Sequence, residues 1–310
     1  SEKENWFVSA TASYYNFLKQ MPSNPDAAFN YSKDELTELN YRLLYVISKE
    51  GTLAPINAKT VYDKSNGYQI PRIKGTFLLH QLRLMLGNKT FAEMMNKIHS
   101  DFREKNISTE QFITSAEKIT GKQLRNFIMQ WLDSEEIPAI SVNANSVQSD
   151  DRWTLNVNIK QNNPGFNFFT TLAIENGKER IIKLVEVKGN EQNFEFILKD
   201  KPGRVIINFG SDIPVQSNNF YTYQNFFDDF ATTLIIYGTT QQIEANHTIA
   251  LRYQKMVADR FTEVFQPLKK DSEVDESELS KNDLIILGGP SENSLAKKLF
   301  DQLGMERNII

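Results

Sequence analysis

Few side chains in this sequence are able to do chemistry, and their spacing limits it further. The chain has no cysteine and three histidines. That excludes disulfides, thiolate metal sites, iron–sulfur clusters and cysteine nucleophiles. His80 is followed by Gln81, His99 by Ser100 and His247 by Thr248. No H-E-x-x-H is therefore present, the motif in which two histidines one helical turn apart hold zinc and the intervening glutamate activates its water. No G-x-S-x-G turn marks a serine nucleophile either. His80 follows Leu78-Leu79 on a core-facing helix, where a histidine is expected as a hydrogen-bonded interior or boundary residue. His99 is expected on an exposed side, and His247 stands in a first helical turn with no partner in view. Two turns invite an anion reading, Tyr237-Gly238-Thr239-Thr240 and Gly288-Gly289-Pro290-Ser291. Each follows an apolar run and leads into a helix, whose free N–H groups attract negative charge. Neither fits a dinucleotide or P-loop pattern, so structural turns are expected and no cofactor-binding residue is assigned.

The elements that carry these residues follow from length and periodicity. A chain of 310 residues with net charge −4, 24% charged and 40% hydrophobic residues is an ordinary globular protein of two or three domains. No clustered basic surface points to nucleic acid, and no apolar run approaches the ~18 residues of a membrane span. Residues 1–136 read as helical. Leu78, Leu79, Leu82, Met85 and Leu86 share one helix face, and Phe91, Met94, Met95, Ile98 and Phe102 share another. Gly87-Asn88 separates these helices. Ser108 and Gln111 make a capping box for a third helix that ends at Gly121. A fourth helix carries Leu124, Phe127, Ile128 and Trp131 inward, with Trp131 expected in the helical core or at its seam with the next region.

Residues 137–215 change period. Leu155, Val157 and Ile159 alternate with polar residues, as do Phe194, Phe196 and Leu198, and Val205, Ile207 and Phe209. Asn176-Gly177 between apolar runs predicts a two-residue hairpin, and the whole predicts a small antiparallel β-sandwich. Residues 216–310 change again. Ser217 to Phe230 is a polar and aromatic connector, in which Phe226-Phe227-Asp228-Asp229-Phe230 is expected to seal the sandwich against the tail. Leu234-Ile235-Ile236 and Leu284 to Leu287 predict buried parallel strands. Helices are expected from about Ala245 to Phe265 and from Ser291, and the acidic stretch Asp271 to Glu278 reads as a solvated loop. The fold class expected is multidomain α+β: an all-α helical domain, a small antiparallel β-sandwich, and a small α/β domain with a parallel sheet.

An ordered set of short motifs runs through the helical region. Lys74-Gly75 precedes an apolar helix and Gly87-Asn88-Lys89-Thr90-Phe91. Then come Ser108-Thr109-Glu110-Gln111-Phe112, Gly121-Lys122-Gln123-Leu124, and Phe127 through Trp131-Leu132 to Pro138. This set resembles the C-terminal half of the catalytic domain of the gluzincin, aminopeptidase N-like zinc aminopeptidases. The resemblance covers about residues 5–210 and leaves the α/β tail outside. It implies a helical domain followed by a β-sandwich, with zinc held by an H-E-x-x-H segment and a later glutamate. Trp6, Ala12, Ser13 and Tyr14 look like the helix carrying that glutamate. Ser9 stands at the glutamate's position and Ala10 at that of the following glycine. Arg72 stands where the family has the tyrosine whose hydroxyl steadies the oxyanion. Arginine cannot copy that phenol, although it is able to hold an anion or a peptide carboxylate. Tyr68 is a substitute to weigh, and a surface position beside a vacated cleft is the plainer expectation for Arg72.

Ser9 and Arg72 together imply a catalytically degenerate relative. No catalytic or metal-ligating residue is therefore assigned. The expected role is a non-catalytic, peptide- or protein-binding one, without a cofactor. The alternative is part of an active zinc aminopeptidase whose H-E-x-x-H segment lies upstream, in which case zinc is the cofactor. The chain opens at Ser1 without a signal-peptide pattern and reads as a processed protein or a cut piece, expected in an extracytoplasmic (periplasmic or secreted) setting.

Overall fold

The computed structural model describes residues 5–47, 54–56, 69–103, 105–161, 165–176, 179–216, 233–259 and 265–303. The chain divides into two compact units, residues 1–221 and 222–310. Tyr68, Gly177 and the Phe226 to Phe230 connector lie outside the described residues. The architecture is mixed α+β, as the changes of period predict.

The first unit opens with α1 (Asn5–Gln20), α2 (Pro25–Ile47) and α3 (Gln69–Asp101). α2 has no counterpart in the sequence reading. Its start is marked by Asn24, whose Oδ1 accepts from the backbone N–H groups of Asp26 and Ala27, an ordinary helix cap. α3 spans the two apolar faces separated at Gly87, which interrupts it at φ 75° and ψ 160°. That left-handed conformation favours glycine. α4 (Thr109–Thr120) carries the expected capping box of Ser108 and Gln111 and ends at Gly121, also at positive φ. α5 (Arg125–Asp133) buries Phe127, Ile128, Trp131 and Leu132.

Six strands follow: β1 (Ile140–Ser149), β2 (Arg152–Gln161), β3 (Phe168–Glu175), β4 (Arg180–Val187), β5 (Glu191–Leu198) and β6 (Val205–Ile207). They form two antiparallel three-stranded sheets, β1-β2-β5 and β4-β3-β6. Apolar residues of both sheets and of all five helices join one core, so helices and sheets share their burial. Two expectations need correction. The β3–β4 hairpin turns after Asn176 and not at it: Asn176 N–H donates to the Glu179 carbonyl (3.2 Å) and Asn176 Oδ1 accepts from Glu179 N–H (2.9 Å), so Asn176 still belongs to the paired ladder. β6 stops at Ile207, before Phe209, because Asn208 turns to φ 55°.

The second unit is a three-stranded parallel sheet in the order β8-β7-β9, from β7 (Thr233–Tyr237), β8 (Leu268–Lys270) and β9 (Asp283–Leu287). α6 (Ile243–Val257) packs on one face through Ala250 and Tyr253. α7 (Glu276–Lys281) and α8 (Ser294–Leu303) cover the other through Leu279, Leu295 and Leu299. Burial on both faces explains the unbroken apolar run of the central strand β7, whereas β9, at the edge, is half-buried along its length. Three details differ from expectation. α6 is α-helical to Val257 and continues as a π turn through Ala258-Asp259, residues 260–264 lie outside the described residues, and Phe265, 61% exposed, is not helical. α8 starts at Ser294, with Asn293 Oδ1 accepting from Leu295 and Ala296 N–H, rather than at Ser291. The acidic stretch is not a solvated loop. It folds into a short 3-10 turn, Asp271–Glu273, and α7, whose capping box is Asp275 and Glu278.

Candidate functional site

The motif residues of the helical region meet around α1. Trp6 Nε1 donates to Thr109 Oγ1 at 2.9 Å, and the Trp6 ring stands edge-on to Phe112 at 5.6 Å. A Cβ added to Gly75 would lie 2.5 Å from Ala10 Cβ and 3.3 Å from Trp6 Cε3. Glycine at 75 is thus what lets α1 and α3 approach so closely. The adjacent Lys74 is fully buried and donates to the carbonyls of Ser134 (2.5 Å) and Glu136 (3.2 Å). It therefore satisfies carbonyls that the end of α5 leaves free. Burial pushes its pKa down to about 7, with Glu135 pulling the other way. Trp131 has no exposed surface and lies 5.5 Å from Phe166, at the seam between α5 and the segment entering β3, as expected.

Ser9 and Arg72 flank this close approach, Ser9 one residue before Ala10 and Arg72 three residues before Gly75. Both are partly exposed. Arg72 donates to Gln69 Oε1 at 2.6 Å, which ties the guanidinium back to the first turn of its own helix. Its carbonyl accepts from Thr76 Oγ1 at 2.7 Å.

One turn beyond Gly75 the sequence reading found only part of what is present. His80 is 3% exposed and engaged at both ring nitrogens. Nδ1 lies 3.2 Å from the Tyr14 hydroxyl, and Nε2 lies 3.2 Å from Asp212 Oδ1. The other oxygen, Asp212 Oδ2, accepts from Thr171 N–H and Thr171 Oγ1, both at 2.7 Å. Thr171 Oγ1 in turn accepts from Gly210 N–H at 2.6 Å. Gln81 spans the same seam, donating to the Phe169 and Asp212 carbonyls (both 2.8 Å) and accepting from Phe169 N–H (2.7 Å). Burial opposes ionisation of Asp212. The hydrogen bonds and charge of His80 and the donors of Thr171 outweigh it and hold the carboxyl below its ordinary range. Burial also pushes the Tyr14 phenol up to about 12. A phenol, an imidazole and a carboxylate in a row are groups that can relay a proton. Here all three are sealed in the core, so the row works as a clasp between α1, α3 and the β4-β3-β6 sheet.

The two glycine turns of the second unit are also committed internally. Asp271, directly after β8, is 8% exposed. Its Oδ1 accepts from Thr239 N–H (3.0 Å) and Thr239 Oγ1 (2.6 Å). Its Oδ2 accepts from Ser294 N–H (2.6 Å) and Ser294 Oγ (2.8 Å). A protein carboxylate therefore occupies the N-terminus of α8, where an anion would sit. Burial resists its ionisation, and the donors of Thr239 and Ser294 prevail, lowering its pKa. His247, left without a partner by the sequence reading, has its ring 4.9 Å from that of Tyr237. His99 is exposed, as expected. Among the described residues, no group of three or more His, Asp and Glu side chains is gathered to hold a metal ion, and no helix is long and apolar enough to cross a membrane.

No family model matches the sequence. Among solved structures, the chain is similar to aminopeptidase A of Legionella pneumophila, determined in complex with aspartic acid. The identity is 18% and the TM-score 0.48, over 84% of this chain and 28% of that one. The chain thus spans less than a third of that protein's length.

Proposed function

We propose that this chain is a non-catalytic relative of the zinc aminopeptidases, with a peptide- or protein-binding role. The observation that carries the reading is the convergence of its motif residues. Trp6, Ala10, Gly75, Lys74, Thr109 and Phe112 interlock through the contacts above, and the two departing positions, Ser9 and Arg72, flank that interlock. Zinc does not fit the residues present. Ser9 offers a neutral hydroxyl where the resemblance puts a carboxylate. His80, the histidine beside α1, has both nitrogens engaged. Arg72 replaces the phenol that would steady an oxyanion, and one such donor is worth ~3 kcal/mol in related chemistries. The proposed contact face is the outward stripe of α1. Val8 is 67% and Tyr15 65% exposed, and with exposed Ala12 they follow the i, i+4, i+7 spacing of one helix face.

The same stripe favours a second reading, in which it is covered by an upstream half that carries H-E-x-x-H. One experiment separates the two. The chain is loaded with zinc, dialysed, and assayed for metal and for hydrolysis of amino-acid arylamides. The expected result is no stoichiometric zinc and no chelator-sensitive turnover, both for the chain and for a version extended by the protein's natural upstream residues. One tight zinc per chain in the unextended form overturns the non-catalytic reading. Zinc and turnover gained only on extension establish the second reading in its place.

A further inference from the structure

We infer that the outer face of the β1-β2-β5 sheet is a binding site for a neutral oligosaccharide chain. The inference is independent of the aminopeptidase reading. Strand register sets five rows across this face; Val147–Thr154–Ile197 and Ser149–Arg152 make up two at one end, and the other three carry the polar cluster. Asn143 pairs with Asn158, which pairs with Asn193. Asn145 pairs with Asn156, which pairs with Glu195. Ser141 pairs with Lys160, which pairs with Glu191. Five asparagines thus sit side by side at the outward positions of three neighbouring strands. Asparagine is among the residues depleted from strands, so sheet stability does not account for the cluster. The opposite face carries the core residues Leu155, Val157 and Ile159.

The face has the chemistry of hydroxyl recognition. Ser141, Asn143, Asn145, Asn156, Asn158, Lys160 and Asn193 border a shallow, open depression of about 420 Å³. Asn158 Nδ2 donates to Glu191 Oε1 and to Asn193 Oδ1, both at 2.7 Å. Those two bonds fix its amide and turn Asn158 Oδ1 away from them. Among the described residues the amides of Asn143, Asn145 and Asn156 have no protein partner. Each amide offers two donors and one acceptor in a plane. A sugar hydroxyl both donates and accepts, so it matches such a grid, whereas a purely anionic or cationic ligand uses only half of it. Charge selects in the same direction. Lys160 is neutralised by Glu191 at 3.3 Å, and the remaining charged group of the three rows is Glu195, which repels polyanions. Strands ~4.8 Å apart and outward side chains ~6.7 Å apart along a strand give a spacing comparable to successive sugar rings. Trp153, Phe194 and Phe196 point to the other face, so binding rests on hydrogen bonds without ring stacking. Each replaces a bond to water and adds little net affinity, so affinity in the millimolar range is expected.

The test is affinity electrophoresis of the full chain through gels containing laminarin, dextran or xylan, with alginate as the anionic control. Alongside it runs the double variant Asn143→Thr/Asn156→Thr, which keeps good strand formers on an exposed face and so preserves folding. Retardation by at least one neutral polymer, lost at least tenfold in the variant and absent with alginate, is the expected result. A melting temperature of the variant equal to or above that of the parent shows that the loss is not unfolding. No retardation by any of the three neutral polymers overturns the inference. Equal retardation of parent and variant, or retardation by alginate as strong as by the neutral polymers, overturns it too.

Discussion

Asp212 in the first unit and Asp271 in the second are the same device built in two settings. Each is a buried carboxylate that accepts from a threonine N–H and the same threonine's hydroxyl. Each joins segments far apart in the chain: residues 80, 171 and 212 in one case, 239, 271 and 294 in the other. The remaining partner residue differs. Asp212 receives His80, itself buried against Tyr14, whereas Asp271 receives the neutral backbone and hydroxyl of Ser294 at the start of α8. The first therefore sits in a chain of titratable groups inside an apolar core, and the second caps a helix near the surface. Both lie beside features the sequence singles out, the His80 helix and a glycine turn, and the expectations of an interior histidine and a structural turn hold. In both, folding has used the polar groups to hold the protein together.

The largest effect should come from removing the carboxylates outright. Asp212→Ala leaves His80 Nε2 and two Thr171 donors buried without a partner, and breaking a buried pair from one side costs ~3–5 kcal/mol. Asp271→Ala loses a cap and orphans donors nearer solvent, for which ~2 kcal/mol is the expected scale. Amide hydrogen exchange by mass spectrometry reads the two units separately. Asp212→Ala should raise exchange across α1, α3 and β3 and leave 233–303 unchanged, with Asp271→Ala doing the reverse. Equal loosening of both units by either change would show that the units are not energetically independent.

Acid sharpens the comparison. Both carboxyls have folded pKa values below their ordinary 3.8. In that case the unfolded chain takes up protons first as pH falls. Their stabilisation is complete above the unfolded value of ~3.9, and is lost progressively as pH drops below it toward the folded value. Urea midpoints from pH 5.5 to 2.5 should therefore fall below pH 4 in the parent. Asp271→Asn, which cannot titrate, should flatten the second unit's share of that fall and leave the first unit's intact. A parent and variant with the same acid slope in the second unit would remove Asp271 from the account.

Which parts of this were legible follows from how far apart the partners lie. The capping box of Ser108 and Gln111, the breaks at Gly87 and Gly121, and the apolar parallel strands β7 and β9 rest on neighbours within a few residues, and local pattern finds them, although β9 is half-buried where full burial is expected. β8 has three residues, Leu268–Lys270, two of them lysines, too short and polar to signal a strand; its pairing with β7 defines it. α2 was missed although Asn24-Pro25 is a recognised helix start. Asp212 could not be found, because its partners lie 132 and 41 residues away. The asparagine face is half visible in sequence: the alternation of Leu155, Val157 and Ile159 marks the apolar side, and strand register, which brings Asn143, Asn158 and Asn193 together, defines the other. Ser9 and Arg72 are singled out by the resemblance alone, and the structure shows Arg72 tied back to Gln69.

The smallest expected effect separates the two clasps at a single hydroxyl. Thr171→Val and Thr239→Val each delete one donor to a buried aspartate while nearly preserving shape. At Thr239 the hydroxyl makes one such bond, to Asp271 Oδ1 at 2.6 Å, and the backbone N–H of the same residue still donates to that oxygen. The loss should be ~1 kcal/mol, the scale of one hydrogen bond to a carboxylate that keeps its other donors. Thr171 is different, because its oxygen also accepts from Gly210 N–H at 2.6 Å. Valine there orphans a buried backbone N–H as well as a carboxylate lone pair, so ~2 kcal/mol is expected. Gly210 sits between Asn208 and Ser211, both at positive φ, so the segment has little freedom to turn that N–H elsewhere. Equilibrium urea unfolding of the two variants reads the difference directly. If Thr171→Val costs no more than Thr239→Val, the Gly210 bond contributes nothing, and the clasp of the first unit is no tighter at its threonine than that of the second.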